Sequence, residues 1–110
     1  MVRTKERMDF LSDVLVTAVE GGVNYWADVK GYTKDNVTVF VYDNMDHYTF
    51  TPATISLGID IIKSNKDFKV NDTILGDILV GDHRMDESYI DSSAADVIVQ
   101  AAMFGEIIYG

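Results

Sequence analysis

The stretch Val37-Thr38-Val39-Phe40-Val41-Tyr42-Asp43-Asn44-Met45-Asp46-His47-Tyr48-Thr49-Phe50-Thr51-Pro52 decides the fold. Val37 to Tyr42 is β-branched and aromatic, the composition of a strand. Asp43 to Asp46 is a turn, because Asp and Asn side chains stabilise reversals of the main chain. His47 to Thr51 is a second strand, and so short a connection favours antiparallel pairing. Thr51-Pro52 then opens a helix: threonine suits the N-cap, and proline in the first turn gives up no hydrogen bond.

Upstream of this hairpin, Val23 to Lys30 alternates. Val23, Tyr25, Ala27 and Val29 point one way, and Asn24, Trp26, Asp28 and Lys30 the other, the period of a strand. Gly31 to Asn36 is a polar connection. Before it, Phe10, Leu11, Val14, Leu15, Ala18 and Val19 form one helical stripe, which predicts a helix from Asp9 to Glu20 closed by Gly21-Gly22.

Downstream, Ile55, Ile59 and Ile62 are the buried stripe of the helix opened at Pro52, with Leu57 and Ile61 beside it and Asp60 and Lys63 outward. Ser64 to Val70 is a loop. Asp72 caps a short helix that turns Ile74, Leu75, Ile78 and Leu79 to the core, and Gly81 to Ile90 is an acidic connection. The last helix runs from Ser92 to Phe104, with Ser93 and Asp96 at capping-box spacing. Its body is apolar almost all round, broken by Asp96 and Gln100 at i, i+4, so it is largely buried. Gly105 stops it, and Glu106 to Tyr109 can add a short strand at the sheet edge. The pattern is α+β: an N-terminal helix, a three-stranded antiparallel meander, then three helices packed on the sheet, all in one domain over residues 1–110.

Composition narrows the function. The chain has 110 residues, 47% of them hydrophobic, and a net charge of −9. From Asp72 onward Arg84 is the only base among eight acids. Direct binding to a nucleic-acid backbone is disfavoured, since that depends on Lys and Arg displacing counterions. There is no cysteine, which removes disulfides and thiolate metal sites and agrees with a reducing cytoplasm. The first residues carry no secretory pattern, and no apolar run approaches the ~20 residues that span a bilayer.

No phosphate loop, nucleophile elbow, two-histidine zinc motif or EF-hand spacing is present. Asp82-His83-Arg84-Met85-Asp86-Glu87, with Asp77 or Asp91, has oxygen and imidazole ligands for a divalent ion. A polar loop whose carboxylates cap the next helix explains the same letters, and no metal or cofactor is assigned. Asp43 to Tyr48 places an Asp and a His on one turn, as acid–base chemistry needs, yet a hairpin loop accounts for it equally. Two surfaces remain as partner sites. One is an acidic face of Asp77, Asp82, Asp86, Glu87 and Asp91. The other is aromatic, with Trp26 and Tyr42 as anchors in a row that includes Asp28 and Phe40; these become core instead if helices cover both sheet faces.

Three strings carry a resemblance. They are Asp9-Phe10-Leu11 leading to Val16-Thr17-Ala18-Val19-Glu20-Gly21-Gly22-Val23-Asn24-Tyr25-Trp26; Thr54-Ile55-Ser56-Leu57-Gly58-Ile59; and Ala95-Asp96-Val97-Ile98-Val99-Gln100-Ala101-Ala102-Met103-Phe104-Gly105-Glu106-Ile107-Ile108-Tyr109-Gly110. In this order the chain resembles a family of small uncharacterised proteins encoded by bacteriophages and integrated elements, many of them in actinobacteria. The resemblance supplies no functional residues. It implies a phage or mobile-element context; taken with the acidic last third and the missing catalytic set, the expectation is a protein that is not an enzyme. Such a protein binds and inhibits a host defence or nucleic-acid-handling protein, such as a CRISPR effector, restriction enzyme or other nuclease. The competing readings are a module that binds a nucleotide signal and a small metal-dependent enzyme. A homodimer is the default assembly.

Overall fold

The computed structural model describes residues 3–33 and 35–110. Lys34, inside the connection predicted over 31–36, lies outside the described residues. The order is α1 (Lys5–Thr17), β1 (Ala27–Thr33), β2 (Asn36–Val41), β3 (Asp46–Phe50), α2 (Pro52–Ser64), α3 (Asp72–Arg84) and α4 (Ser92–Phe104). This is the predicted α+β architecture: a helix, an antiparallel sheet in the order β1-β2-β3, and three helices. Among the described residues, no helix is long and apolar enough to cross a membrane.

α1 begins four residues before the predicted Asp9. Thr4 caps it, its Oγ1 accepting from the Arg7 amide at 3.1 Å, and Lys5 pairs with Asp9 one turn on at 2.9 Å. Apolar periodicity could not reveal a first turn made of charges. The helix then widens into a π-turn, Ala18–Gly22, closed by the Val23 amide on the Ala18 carbonyl at 3.0 Å. Gly21 and Gly22 do mark the end, but neither adopts a left-handed conformation. What Gly22 provides is close approach: a Cβ there would stand 2.8 Å from the Ser92 carbonyl oxygen at the start of α4.

Val23 to Trp26 is a turn rather than a strand, with the Trp26 and Ala27 amides both donating to the Val23 carbonyl at 3.0 Å. β1 therefore starts at Ala27 and runs to Thr33, beyond the predicted Lys30, with a bulge between Val29 and Gly31. The register pairs Ala27 with Val41, Val39 with Tyr48, and Val37 with Phe50. These residues face the helices, and Val37, Val39, Val41 and Phe50 are buried. Asp28, Phe40 and His47 stand in register on the opposite face, which no helix among the described residues covers.

The core lies between the inner sheet face and the helices. α4 runs through it, buried from Ala94 to Ala101 as the near-absence of a polar face predicts. α2 meets it so closely that Gly58 has the Ile98 main chain where a side chain would be. Pro52 opens α2 as predicted, and the Thr51 amide donates to Thr54 Oγ1 at 3.0 Å. Ile55, Ile59 and Ile62 are buried, but Leu57 is exposed. α3 is longer than predicted and takes in Gly81 to Arg84. Its cap is Asn71, not Asp72, with Oδ1 accepting from the amides of Thr73 and Ile74 at 2.8 and 3.3 Å. Of its predicted core residues Ile78 is buried, Ile74 and Leu75 are half-buried, and Leu79 is exposed.

Asp91, not Ser93, caps α4, accepting from the Ala94 amide at 2.8 Å. Gly105 ends the helix in the left-handed conformation, φ 73°. The edge strand predicted over Glu106 to Tyr109 does not form. That segment crosses Trp26 instead, for reasons of side-chain chemistry given below.

Candidate functional site

The predicted acidic face is largely used up inside the fold. Asp82 is buried, its side chain only 7% exposed. Its carboxylate takes Arg7 Nη2 of α1 at 2.5 Å and Lys63 Nζ of α2 at 3.0 Å, and its carbonyl accepts from Arg7 Nη1 at 3.2 Å. Burial alone would raise the pKa of this carboxyl, but the hydrogen bonds from Arg7 and Lys63 outweigh it and hold the pKa below the ordinary value. Asp82 is thus the clasp of three helices and is corrected as a partner-binding residue. Asp86 accepts from the Ser88 amide and hydroxyl at 3.0 and 2.7 Å, which lowers its pKa too. Asp91 caps α4. Asp77 is half-buried, and Glu87 is exposed. A run of acids in sequence says nothing about direction, and this one is broken by the end of α3 at Met85 (φ 51°). Among the described residues, no three His, Asp or Glu side chains gather as a metal site.

Trp26 is corrected as well. The turn preceding β1 rotates it inward, and it is only 3% exposed. Its indole Nε1 donates to Asp96 Oδ1 at 2.8 Å. Tyr25 OH donates to Asp96 Oδ2 at 2.5 Å, and Gln100 Nε2 to Oδ1 at 3.0 Å. Asp96 is therefore a nearly buried carboxylate held by three neutral donors. Tyr25 has one proton to give, and the charge-assisted bond takes it. Burial first, then the bond to Asp96, pushes the Tyr25 pKa up to about 12. The signal was present in the sequence: two polar residues at i, i+4 in a helix otherwise too apolar to be exposed must find buried partners. Which partners, no local pattern could say.

Above this network is a groove of about 500 Å³, lined by Tyr25, Ile74, Asp96, Val97, Ile107 and Tyr109 among others. Residues 106–110 form one of its walls. The Tyr109 ring stacks on Trp26, centroids 5.1 Å apart and planes at 9°.

Tyr42, the other residue expected to anchor a partner, is 50% exposed. It stands at the end of an aromatic cluster on the open sheet face. Phe40 meets Tyr42 edge-on at 6.4 Å and His47 at 5.1 Å. Lys30 Nζ sits 6.0 Å from the Phe40 ring centre and 2.8 Å from Asp28. At the adjoining turn Met45 has φ 55°, a conformation rare outside glycine, and is 76% exposed. Asn44 holds this turn, donating to Tyr48 OH at 2.8 Å and accepting from the Asp46 amide at 3.1 Å. The Asp43-to-Tyr48 letters thus build a hairpin tip that exposes Met45. Comparison with models of protein families, with curated proteins and with solved structures found no match.

Proposed function

We propose that this chain is a binding protein that presents the helix-free face of its sheet to a protein partner. The observation that carries this is the Phe40–Tyr42–His47 cluster, continued by Met45, on a surface with no helix to cover it. Rigid aromatic side chains on a strand offer large contact area at small entropic cost, and such residues dominate interface energetics. The strained turn holds a flexible thioether, suited to irregular apolar contact, at the rim. Asp28 stands on this face beside Lys30, and the chain as a whole carries a net charge of −9, so a partner with a basic rim fits best. The resemblance to phage and integrated-element proteins points to a host nucleic-acid-handling protein, whose working groove is basic. Covering that groove is inhibition by occlusion and requires no covalent chemistry.

The test is stoichiometric inhibition of purified host nucleases, CRISPR effectors and restriction enzymes. One of them is expected to be inhibited at equimolar protein. Tyr42→Ala should weaken its binding roughly 30-fold, the size of a 2 kcal/mol hot spot, with the melting temperature unchanged. Retention of full affinity by a Phe40→Ala/Tyr42→Ala double variant would refute the assignment of this face.

The groove favours a second reading. Its volume is within the range of small-molecule sites, and Tyr25 and Tyr109 offer rings on which a nucleobase can stack. A nucleotide ligand would raise the melting temperature through linkage, and a screen showing no shift with any nucleotide removes this reading.

A further inference from the structure

Two carboxylates, Asp82 and Asp96, are buried to the same degree, each 7% exposed. Asp82 meets two cations, Arg7 and Lys63. Asp96 has only neutral donors among the described residues: the Trp26 indole and the Gln100 amide on Oδ1, and the Tyr25 hydroxyl on Oδ2. A carboxylate offers about four acceptor positions, so these bonds leave one free, on Oδ2. A charge withdrawn from water is ordinarily met by an opposite charge as well as by hydrogen bonds. What adjoins Asp96 instead is the groove of about 500 Å³, whose wall it helps to form. Asp96 is the one charged side chain in that wall among the described residues, and the wall contains no Lys, Arg or His.

We infer that this groove binds a small organic cation, a protonated amine on an apolar body, with its ammonium group on Asp96. The rest of the wall matches such a molecule. Ile74, Val97 and Ile107 supply apolar surface for the body. The rings of Tyr25 and Tyr109 border the same space, and a cation is attracted to the face of an aromatic ring. Ser93 carries a hydroxyl that can accept a second ammonium proton. An ammonium here completes Asp96 as Arg7 and Lys63 complete Asp82, and a charge-assisted bond partly shielded from water is a strong one. The groove is open with residues 106–110 in place, so nothing in the fold has to move. It is the groove of the nucleotide reading, but the occupant has the opposite charge: a phosphate would meet Asp96 with no base in the wall to offset the repulsion. The site is separate from the open sheet face, and its test does not depend on that face.

Trp26 is the only tryptophan and donates to Asp96, so its emission reports a charge arriving there. Three probes of similar shape differ in charge near neutral pH: phenethylamine is a cation, phenethyl alcohol is neutral and phenylacetate is an anion. On the full-length chain at constant ionic strength, phenethylamine is expected to shift Trp26 emission saturably, with half-saturation below ~10 mM, the scale set by its size. The alcohol and phenylacetate should bind at least ~10-fold more weakly, the factor that one charge-assisted hydrogen bond supplies. Asp96→Asn should weaken the amine at least ~10-fold for the same reason and leave the alcohol unchanged. A preference for the amine over the alcohol of less than ~10-fold, no saturable effect of the amine up to ~10 mM, or full affinity in Asp96→Asn overturns the inference. Adenosine monophosphate, titrated alongside, separates the two readings of the groove. Tighter binding of the nucleotide than of the amine overturns the inference and keeps the nucleotide reading, whereas silence of both removes both. If Asp96→Asn does not fold, the ranking of the three probes on the unaltered chain decides alone.

Discussion

Replacing Gly58 with alanine should unfold much of what holds this protein together, although alanine is the better helix former. A Cβ on Gly58 would lie 2.1 Å from the Ile98 carbonyl oxygen and 2.9 Å from its carbonyl carbon. Neither partner is a flexible side-chain end; both are main chain inside buried helices. α2 and α4 would have to separate by more than about 1 Å in a core packed at crystal-like density. Overpacking of this kind costs about 1–3 kcal/mol and more when backbone must move. Alanine returns up to about 1 kcal/mol of helix propensity. Because both clashing groups are main chain, the cost stands at the top of that range or above it, and the net loss is about 2 kcal/mol or more, out of the roughly 5–15 kcal/mol available to a domain of ordinary stability. At about 4–8 °C per kcal/mol near this size, the melting temperature should fall by roughly 8–16 °C or more. Gly76 is the internal control. It lies in the middle of α3 and a Cβ there meets nothing within 4 Å, so Gly76→Ala should gain up to about 1 kcal/mol. Urea unfolding followed by circular dichroism reads both. A Gly58→Ala protein within about 0.5 kcal/mol of the parent would refute the close approach of α2 and α4, and so the packing derived from it.

Asp82→Asn should cost about 3 kcal/mol, the low end for breaking a buried ion pair because Lys63 is still half in water. The folded pKa of Asp82 is depressed, so its contribution is present above the unfolded value near 3.9 and lost as pH falls through the folded one. Acid unfolding curves of parent and variant should therefore converge below about pH 4, and curves that stay parallel would count against the clasp. Tyr25 has the opposite sign. Its folded pKa of about 12 exceeds the unfolded value near 10, so the stability it contributes is complete below pH 10 and disappears between there and 12. Absorbance titration at alkaline pH should show a tyrosine step near pH 12 that is missing in Tyr25→Phe. Asn71→Ala should cost about 1 kcal/mol by uncapping α3, whereas Asp72→Ala should cost less, which calorimetry distinguishes.

Elements with strong local signals were legible in the sequence. β2 and β3 follow from their β-branched and aromatic runs, α2 from Thr51-Pro52, and α4 from its apolar body and Gly105. Boundaries failed where a neighbour in space decided them. Val23 to Trp26 alternates like a strand, yet it bends so that Trp26 can reach Asp96, seventy residues away. Glu106 to Tyr109 has strand composition, but the nearest partner for its main chain is the Gln100 side chain.

Periodicity and composition by themselves determined that this acidic chain is α+β, with an antiparallel meander and a buried last helix, because those patterns arise from contacts within a turn or between adjacent strands. Which polar residues are structural and which face solvent was decided only by the tertiary structure. Asp82 and Trp26 look like surface residues until Arg7, Lys63 and Asp96 arrive from distant parts of the chain. The open face around Tyr42 emerges the same way. Strand alternation assigns side chains to two faces, and only the packing of the helices determines which face water, or a partner, can reach.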